Sequence, residues 1–434
     1  MPGGSEPTSC LRVPARPRRP PRPPLLPAII PGVNLAVSDN LASIRPETLP
    51  GLHRTRRLRL LCLTMKFTGL RSFALEMRSY LDRRADVDAV HVTYFPPLWV
   101  KALCAHVPFF EEWDYAVVRT VHSWRLHLSS WLRAGGPLDL RRFDAAVCTS
   151  QFVGLAPADL RASSGCRVVL FGDSTTRNNA RDLGFDDAVH RALARVEHRL
   201  FDRADLIAMT SDWARRSVLD DYAQPGHKAL LVPPTAGHVS HRSPRDRSGP
   251  VRVVFIGNSF VRKGGDRLLR WHQERWQDRV ELHVCSSEAV ADPSCRNVVW
   301  HGRVDRDRLL GDLLPTMDLF VMPTTSDQSC WPAVEAQMAG VVPIVTRIGG
   351  IPELVEPGVT GLLVGKGDEA GFVAAVESLL NDPDRLDAMS QAAQVRAPAR
   401  FGRDIVLGRL VDRIREAAGL PSDPATAPAI VEAR

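Results

Sequence analysis

The chain has 434 residues, 44% of them hydrophobic and 24% charged, which is too long for one ordinary core and suits two α/β domains of roughly 150–200 residues each. Its formal charge of +7 is unevenly placed: residues 1–59 hold ten arginines, no lysine and three acids (Glu6, Asp39, Glu47), so the rest of the chain is neutral. A basic body that binds nucleic acid is excluded on that count, and no nucleic-acid partner is expected. The eight cysteines form no C-x-x-C pair, which argues against a zinc site or a disulfide framework and makes the reducing cytoplasm the expected compartment.

Residues 1–30 contain nine prolines and five arginines, a composition that cannot bury apolar surface. Residues 1–56 are therefore expected to be a disordered leader; the functional alternative is a peripheral contact between Arg16–Arg22 and an anionic cytoplasmic membrane face. The apolar segment 24–37 is broken by Pro27, Pro31 and Gly32, which argues against a signal peptide. No apolar run reaches the roughly 18 residues needed to span a membrane.

From Leu58 onward strands and helices alternate. The strand expectations are 58–63, 89–93, 116–121, 145–149, 167–171 and 206–210, with helices over 70–83 and 187–202. This alternation predicts an α/β fold with a doubly wound parallel sheet over residues 57–237. A polar stretch, 238–249, reads as a linker. A second series then starts, with strands at 251–256, 280–285, 298–300, 319–322, 342–345 and 361–364. Helices are expected at 264–276, 370–380 and 385–396. Residues 250–417 form the second expected domain, and 418–434 a frayed tail.

The stretch from Pro323 to Glu353, PTTSDQSCWPAVEAQMAGVVPIVTRIGGIPE, carries the most chemistry. Pro332 suits the first turn of a helix and Gly340 its end. Asp327 then lies on a loop and Glu335 in the opening turns, at the strand ends where open α/β sheets bind ligands. A carboxylate there can accept two ribose hydroxyls beside a helix N-terminus that favours phosphate. Gly349 and Gly350 allow close backbone approach. For any one of these residues, a capped helix followed by a turn is the competing reading.

Taken together, the stretch resembles the donor-site signature of GT-B retaining glycosyltransferases of the family 4 type: an acid, seven residues, Glu-Ala, a glycine, Pro-Ile-Val and Gly-Gly-Ile-Pro-Glu. Phe255-Ile-Gly257 followed by Arg262-Lys263-Gly264-Gly265, Asn297 to Gly302, Pro357 to Val364, and Asp202 to Ser211 add further matches. The resemblance implies two Rossmann-like domains facing a cleft. The second domain would hold a nucleotide-diphosphate sugar and the first an unidentified glycan, lipid or small-molecule acceptor. Transfer would occur with retention, without cofactor or metal.

Carried over by position, Lys263 sets an ammonium on the leaving diphosphate, Glu335 holds the ribose, and Asp327 holds sugar hydroxyls. Backbone N–H groups near Cys330 and Trp331 help to place the donor, beside Gly257. Asn258 stands where the family usually has a second cation, and Arg262 is the candidate replacement. Cys330 replaces a glycine and would crowd the sugar. On the acceptor side Asp173, at a strand end, is the candidate for positioning the acceptor hydroxyl, with an Asx turn as its competing role. His122 and the loop at Gly69 are further acceptor-side candidates. Asp86-x-Asp88 and Asp305-x-Asp307 read as turn or cap residues. Trp99, Trp113, Trp124 and Trp131 read as core aromatics before a sugar-stacking surface. A catalytically degenerate GT-B subunit, suggested by Asn258 and Cys330, is the non-enzymatic alternative.

Overall fold

The computed structural model describes residues 56–65, 70–94, 113–186, 188–237, 239–242, 248–289, 292 and 294–421. The leader, Gly69, Trp99 and residues 422–434 lie outside them, as do the side chain of Trp113 and residues 238 and 243–247 of the linker.

The first domain is built on strands β1 (Leu58–Met65), β2 (Val87–Tyr94), β3 (Ala145–Thr149), β4 (Arg167–Gly172), β5 (Leu206–Met209) and β6 (Ala229–Leu231). They lie in the order β2-β1-β3-β4-β5-β6, and every neighbouring pair is parallel. All five residues of β3 are buried, as a strand covered by helices on both faces requires. Those helices are α1 (Arg71–Leu81), α2 (Trp113–Leu132), α3 (Leu155–Ser164), α4 (Thr176–Leu183), α5 (Ala188–Arg203) and α6 (Asp212–Asp220).

The second domain repeats the design with β7 (Val251–Ile256), β8 (Val280–Cys285), β9 (Val298–Trp300), β10 (Leu319–Met322), β11 (Val342–Arg347) and β12 (Leu362–Gly365). These run parallel in the order β12-β11-β10-β7-β8-β9. Its helices include α7 (Gly265–Trp271), α8 (Arg306–Arg308), α9 (Trp331–Ala339), α10 (Glu369–Leu380) and α11 (Pro383–Phe401). The fold is thus α/β with two Rossmann-like sheets.

One expectation fails outright. Residues 116–121 belong to α2, not to a strand. A short apolar run reads equally as buried strand or buried helix. Beyond it Val121, Leu128, Trp131 and Leu132 are buried while His122 and Leu126 are exposed, which is a helical face. Trp131 is buried and meets Tyr94 edge-on, a core role.

The last helix, α12 (Arg403–Ala417), lies beyond the second sheet in sequence and was expected with its domain. Its Val406, Leu407, Leu410, Val411 and Ile414 instead join the core that holds Leu58, Phe73, Phe171 and Leu206 of the first domain. The chain crosses between domains twice, and the crossings touch. Thr235 Oγ1 donates to Phe401 O at 2.6 Å, and Arg403 N donates to Ala236 O at 3.1 Å.

Candidate active site

The donor-side residues come from three loops at the strand ends of the second sheet. β7 ends at Ile256, and the turn after it delivers Lys263 just before α7. A Cβ added to Gly257 would stand 2.5 Å from Lys263 Cδ. The absent side chain is therefore the space through which the lysine stem passes. Lys263 Nζ reaches Asp327 Oδ2 at 3.2 Å, both side chains being largely buried. Gly257→Ala is expected to displace that stem and lower turnover about tenfold, a 1.4 kcal/mol effect, while leaving the melting temperature nearly unchanged. Unaltered kcat would show that the stem's path does not matter.

Arg262 turns the other way. Its side chain is exposed, and its guanidinium donates to Ser326 O. Thr325 N and Oγ1 both donate to Arg262 O at 3.0 Å. Arg262, expected as a second cation, therefore clamps the loop that carries Asp327. Asn258 is likewise occupied, its Oδ1 accepting from Ser287 Oγ at 3.0 Å and from Ser287 N at 3.3 Å.

α9 starts as the sequence suggests, with Pro332 in its first turn and Gly340 closing it at φ +86°. Cys330, expected to crowd a sugar, turns its side chain into the core. It is fully buried, its Sγ lies 3.8 Å from Met322 Sδ, and burial pushes its thiol up to about 12. Trp331 also points inward, meeting Phe73 of α1 edge-on within the first domain's core. Both side chains are thus taken up by the core.

Glu335 is 2% exposed and already partnered: Arg306 Nη1 donates to its Oε1. Arg306 also bonds Glu76 Oε1 of α1 at 2.8 Å and Ser72 Oγ at 3.2 Å. Arg403 approaches Glu76 from the other side at 3.6 Å. A buried chain of charges thus runs from α9 to the first domain. The ion pair to Arg306 engages Oε1 and leaves Oε2 of Glu335 without a hydrogen bond among the described residues.

The two glycines after β11 approach the protein itself. A Cβ on Gly349 would meet Asp327 O at 2.6 Å, and one on Gly350 would meet Ser211 Cβ at 2.5 Å. Close behind, Glu353 accepts from Asp212 N at 2.6 Å and Trp213 N at 2.7 Å. It caps α6 of the first domain, satisfying backbone donors that a helix start leaves free. The loop holding Asp327 is thereby fixed against the facing domain.

Asp173, expected on the acceptor side, follows β4 and lies near enough to Asp327 for the two charges to interact. Its carboxyl retains some solvent contact but is ringed by protein. This burial, and secondly the Asp327 charge, push it up to about 6. Beneath it Glu197, which is fully buried, accepts from Thr176 N at 2.8 Å, from Tyr222 Oη and from Gln151 Nε2, while Gln151 Nε2 donates to Ser174 O at 3.0 Å. These bonds hold the 173–176 turn in place. Because the folded carboxyl titrates above its ordinary 3.8, its stabilising protonated form is complete below that value and is lost as pH rises through about 6. Asp173→Asn is therefore expected to be more stable than the parent at pH 8, on the order of 1 kcal/mol after allowance for solvent. The advantage should shrink toward pH 5. Urea titrations at both pH values measure it, and an equal difference at the two would contradict the raised titration.

His122 lies outside this cluster. It is exposed on α2 and does not follow a strand. Asp305 caps the start of α8 by accepting from Arg308 N at 3.0 Å, and Asp86 pairs with Arg84 at 2.7 Å; both are structural. Among the described residues no group of three or more His, Cys, Asp or Glu is arranged to hold a metal. Sequence reasoning missed Glu197, Gln151, Arg306 and Glu76. Glu197 had a signal, since it interrupts the apolar stripe of Leu193, Val196 and Leu200. Arg306 and Glu76 had none, being 230 positions apart.

Comparison with solved structures places the fold in the GT-B class. The chain aligns with sucrose-phosphate synthase from Thermosynechococcus elongatus at a TM-score of 0.62 and 15% identity, covering 83% of this chain and 100% of that one. Anabaena Alr3699/HepE, solved in complex with UDP and glucose, aligns at 0.61 and 15% over the same shares. Within that class, residues 250–382 match the family model for glycosyl transferases group 1. Among curated proteins, a D-inositol 3-phosphate glycosyltransferase of Thermobispora bispora is 37% identical over 249 residues, 51% of this chain and 58% of its own length. Glycogen synthase of Mycobacterium tuberculosis is 29% identical over 177 residues, 36% of this chain and 40% of its own length. The chain therefore spans less than two thirds of the length of these curated relatives.

Proposed function

We propose that the protein transfers a sugar from a nucleotide-diphosphate sugar to a hydroxyl acceptor with retention of configuration and without a metal ion. One observation carries the reading. Lys263 and Asp327 of the second domain form a 3.2 Å ion pair, and Asp173 of the first lies close enough to feel the Asp327 charge. A cation and two carboxylates from opposite domains meet where a glycosidic bond would change partners.

In this mechanism the α9 backbone and Glu335 hold the nucleotide, with the ribose hydroxyls on the carboxylate oxygen that Arg306 leaves free. Lys263 stabilises charge that grows on the leaving diphosphate. Asp327 takes sugar hydroxyls in place of its contact with the lysine. Asp173 accepts a hydrogen bond from the acceptor hydroxyl and orients its oxygen at the anomeric carbon. The diphosphate oxygens, as they separate, take the acceptor's proton. The nucleotide complexes of the Anabaena protein and the group 1 match support a nucleotide-sugar donor. Location in the reducing cytoplasm belongs to the same reading, supported by the six free cysteines among the described residues. Among those residues no helix is long and apolar enough to cross a membrane.

A thermal-shift series with UDP, GDP, ADP and their sugars tests the reading, since a ligand that binds the folded state raises apparent stability. One nucleotide series should stabilise the protein, Glu335→Ala should raise the donor KM while sparing kcat, and EDTA should leave transfer unchanged. Activity that collapses in EDTA and returns with Mn²⁺ would overturn the metal-independent site. Nucleotide binding without turnover on any acceptor would favour the degenerate-subunit alternative.

A further inference from the structure

The outer helical layer of the first domain carries a trough of about 660 Å³ between α2, α5 and the start of α4. Its polar lining is His122, Arg177, Arg195, His198 and Arg199, with no carboxylate among the described lining residues. A neighbouring groove of about 420 Å³ shares Arg177 and Arg195 and adds Arg181 and Arg191. Two rows of arginine at four-residue spacing thus face each other, Arg177 and Arg181 on α4 against Arg191, Arg195 and Arg199 on α5.

The pairing of these arginines is uneven. Arg191 meets Asp186 at 3.1 Å, Arg203 at the end of α5 meets Asp159 at 2.6 Å, and Arg181 meets Asp221 at 2.9 Å. Arg177 is spent on Asp221 O and the Tyr222 ring. Arg195, by contrast, makes among the described residues only a 3.4 Å bond to Arg191 O. Arg199 has neither ion pair nor hydrogen bond among the described residues. Like charges four apart on a helix repel by a few tenths of a kcal/mol, and composition does not force the arrangement, because the chain after residue 59 is neutral. A bound anion reverses the sign of that interaction.

We propose that this trough binds phosphoryl groups, either a diphosphate or closely spaced phosphomonoesters, outside the cleft of Lys263. The planar guanidinium fork matches phosphate oxygens two at a time. Arg195 and Arg199, roughly 6 Å apart at Cβ by helical spacing, suit adjacent phosphoryl groups, and His122 and His198 offer ring nitrogens at the walls. The chain's own leader does not have the charge of the proposed occupant, since residues 1–55 carry seven arginines against three acids. The assignment stands whether or not the protein transfers sugars. The phosphoryl groups can come from a soluble phosphorylated molecule or from lipid headgroups.

Calorimetry on the full chain with inorganic pyrophosphate tests it, any binding in the cleft of Lys263 being common to the proteins compared. Saturable binding is expected, weakened at least tenfold by the pair Arg195→Gln and Arg199→Gln, with the melting temperature unchanged because both side chains are exposed. Co-sedimentation with vesicles containing phosphatidic acid, whose headgroup is a phosphomonoester, against phosphatidylcholine vesicles separates the sources while the leader stays present in every protein compared. A loss confined to pyrophosphate assigns a soluble ligand, and a loss of phosphatidic acid binding assigns a headgroup. If the double substitution alters neither, the trough is not a phosphoryl site.

Discussion

Lys263→Ala is expected to lower kcat on the order of 10²–10³-fold with little change in donor KM. In the proposed mechanism the ammonium acts mainly as the diphosphate departs, so its removal would raise the barrier more than it weakens binding. Geometry sharpens the expectation. Lys263 is the cation within 3.2 Å of Asp327, while Arg262 is committed to Ser326 O and Asn258 to Ser287, so neither neighbour can take its place. Removing it also leaves Asp327 and Asp173 facing each other without that positive charge. The Asp173 carboxyl should then titrate above its present value of about 6, shifting the acid limb of the pH–rate profile upward. Lys263→Arg should recover only part of the loss, since a planar fork does not reproduce a compact point charge. Near-normal turnover by a folded Lys263→Ala protein would refute the donor-site assignment.

Arg306→Ala is expected to destabilise the fold by about 3–5 kcal/mol, the cost of leaving buried carboxylates without their cation. Glu76 and Glu335 are 6% and 2% exposed, and Arg403, 3.6 Å from Glu76, gives Glu335 nothing. Adding Glu335→Gln and Glu76→Gln to Arg306→Ala should restore much of the loss by neutralising the stranded charges. Urea midpoints for the single and triple variants measure this. A single variant as stable as the parent would mean that Glu335 finds another partner.

Most of the second domain was legible in the sequence because its strands are short apolar runs between turn residues; Val251–Ile256, Val280–Cys285, Val298–Trp300 and Leu319–Met322 form as the pattern indicates. α2 was misread because six apolar-rich residues do not distinguish a strand from a buried helical turn. Asp327 and Glu335 were singled out by their spacing within 323–353 and Lys263 by the resemblance of residues 255–265, and the structure brings Lys263 and Asp327 together. What each side chain does was less legible. Cys330 points to Met322, Glu353 caps α6, and Arg306 ties Glu335 to Glu76. Glu353 and Arg306 reach partners 141 and 230 positions away, which no local pattern encodes, whereas Cys330 turns to a residue eight positions before it.

Five apolar side chains of α12 complete the core begun by Leu58 and Phe73, and this has a consequence for biogenesis. A ribosome that has released everything through Ala236 has made all six strands of the first sheet, yet the helix that seals part of its core has not been translated. The first domain must wait, with apolar surface open, while the whole second domain is synthesised. The nascent first half is thus the stage most exposed to misassociation and most in need of a chaperone. Expressing it alone should give an insoluble product unless residues 403–417 are supplied with it.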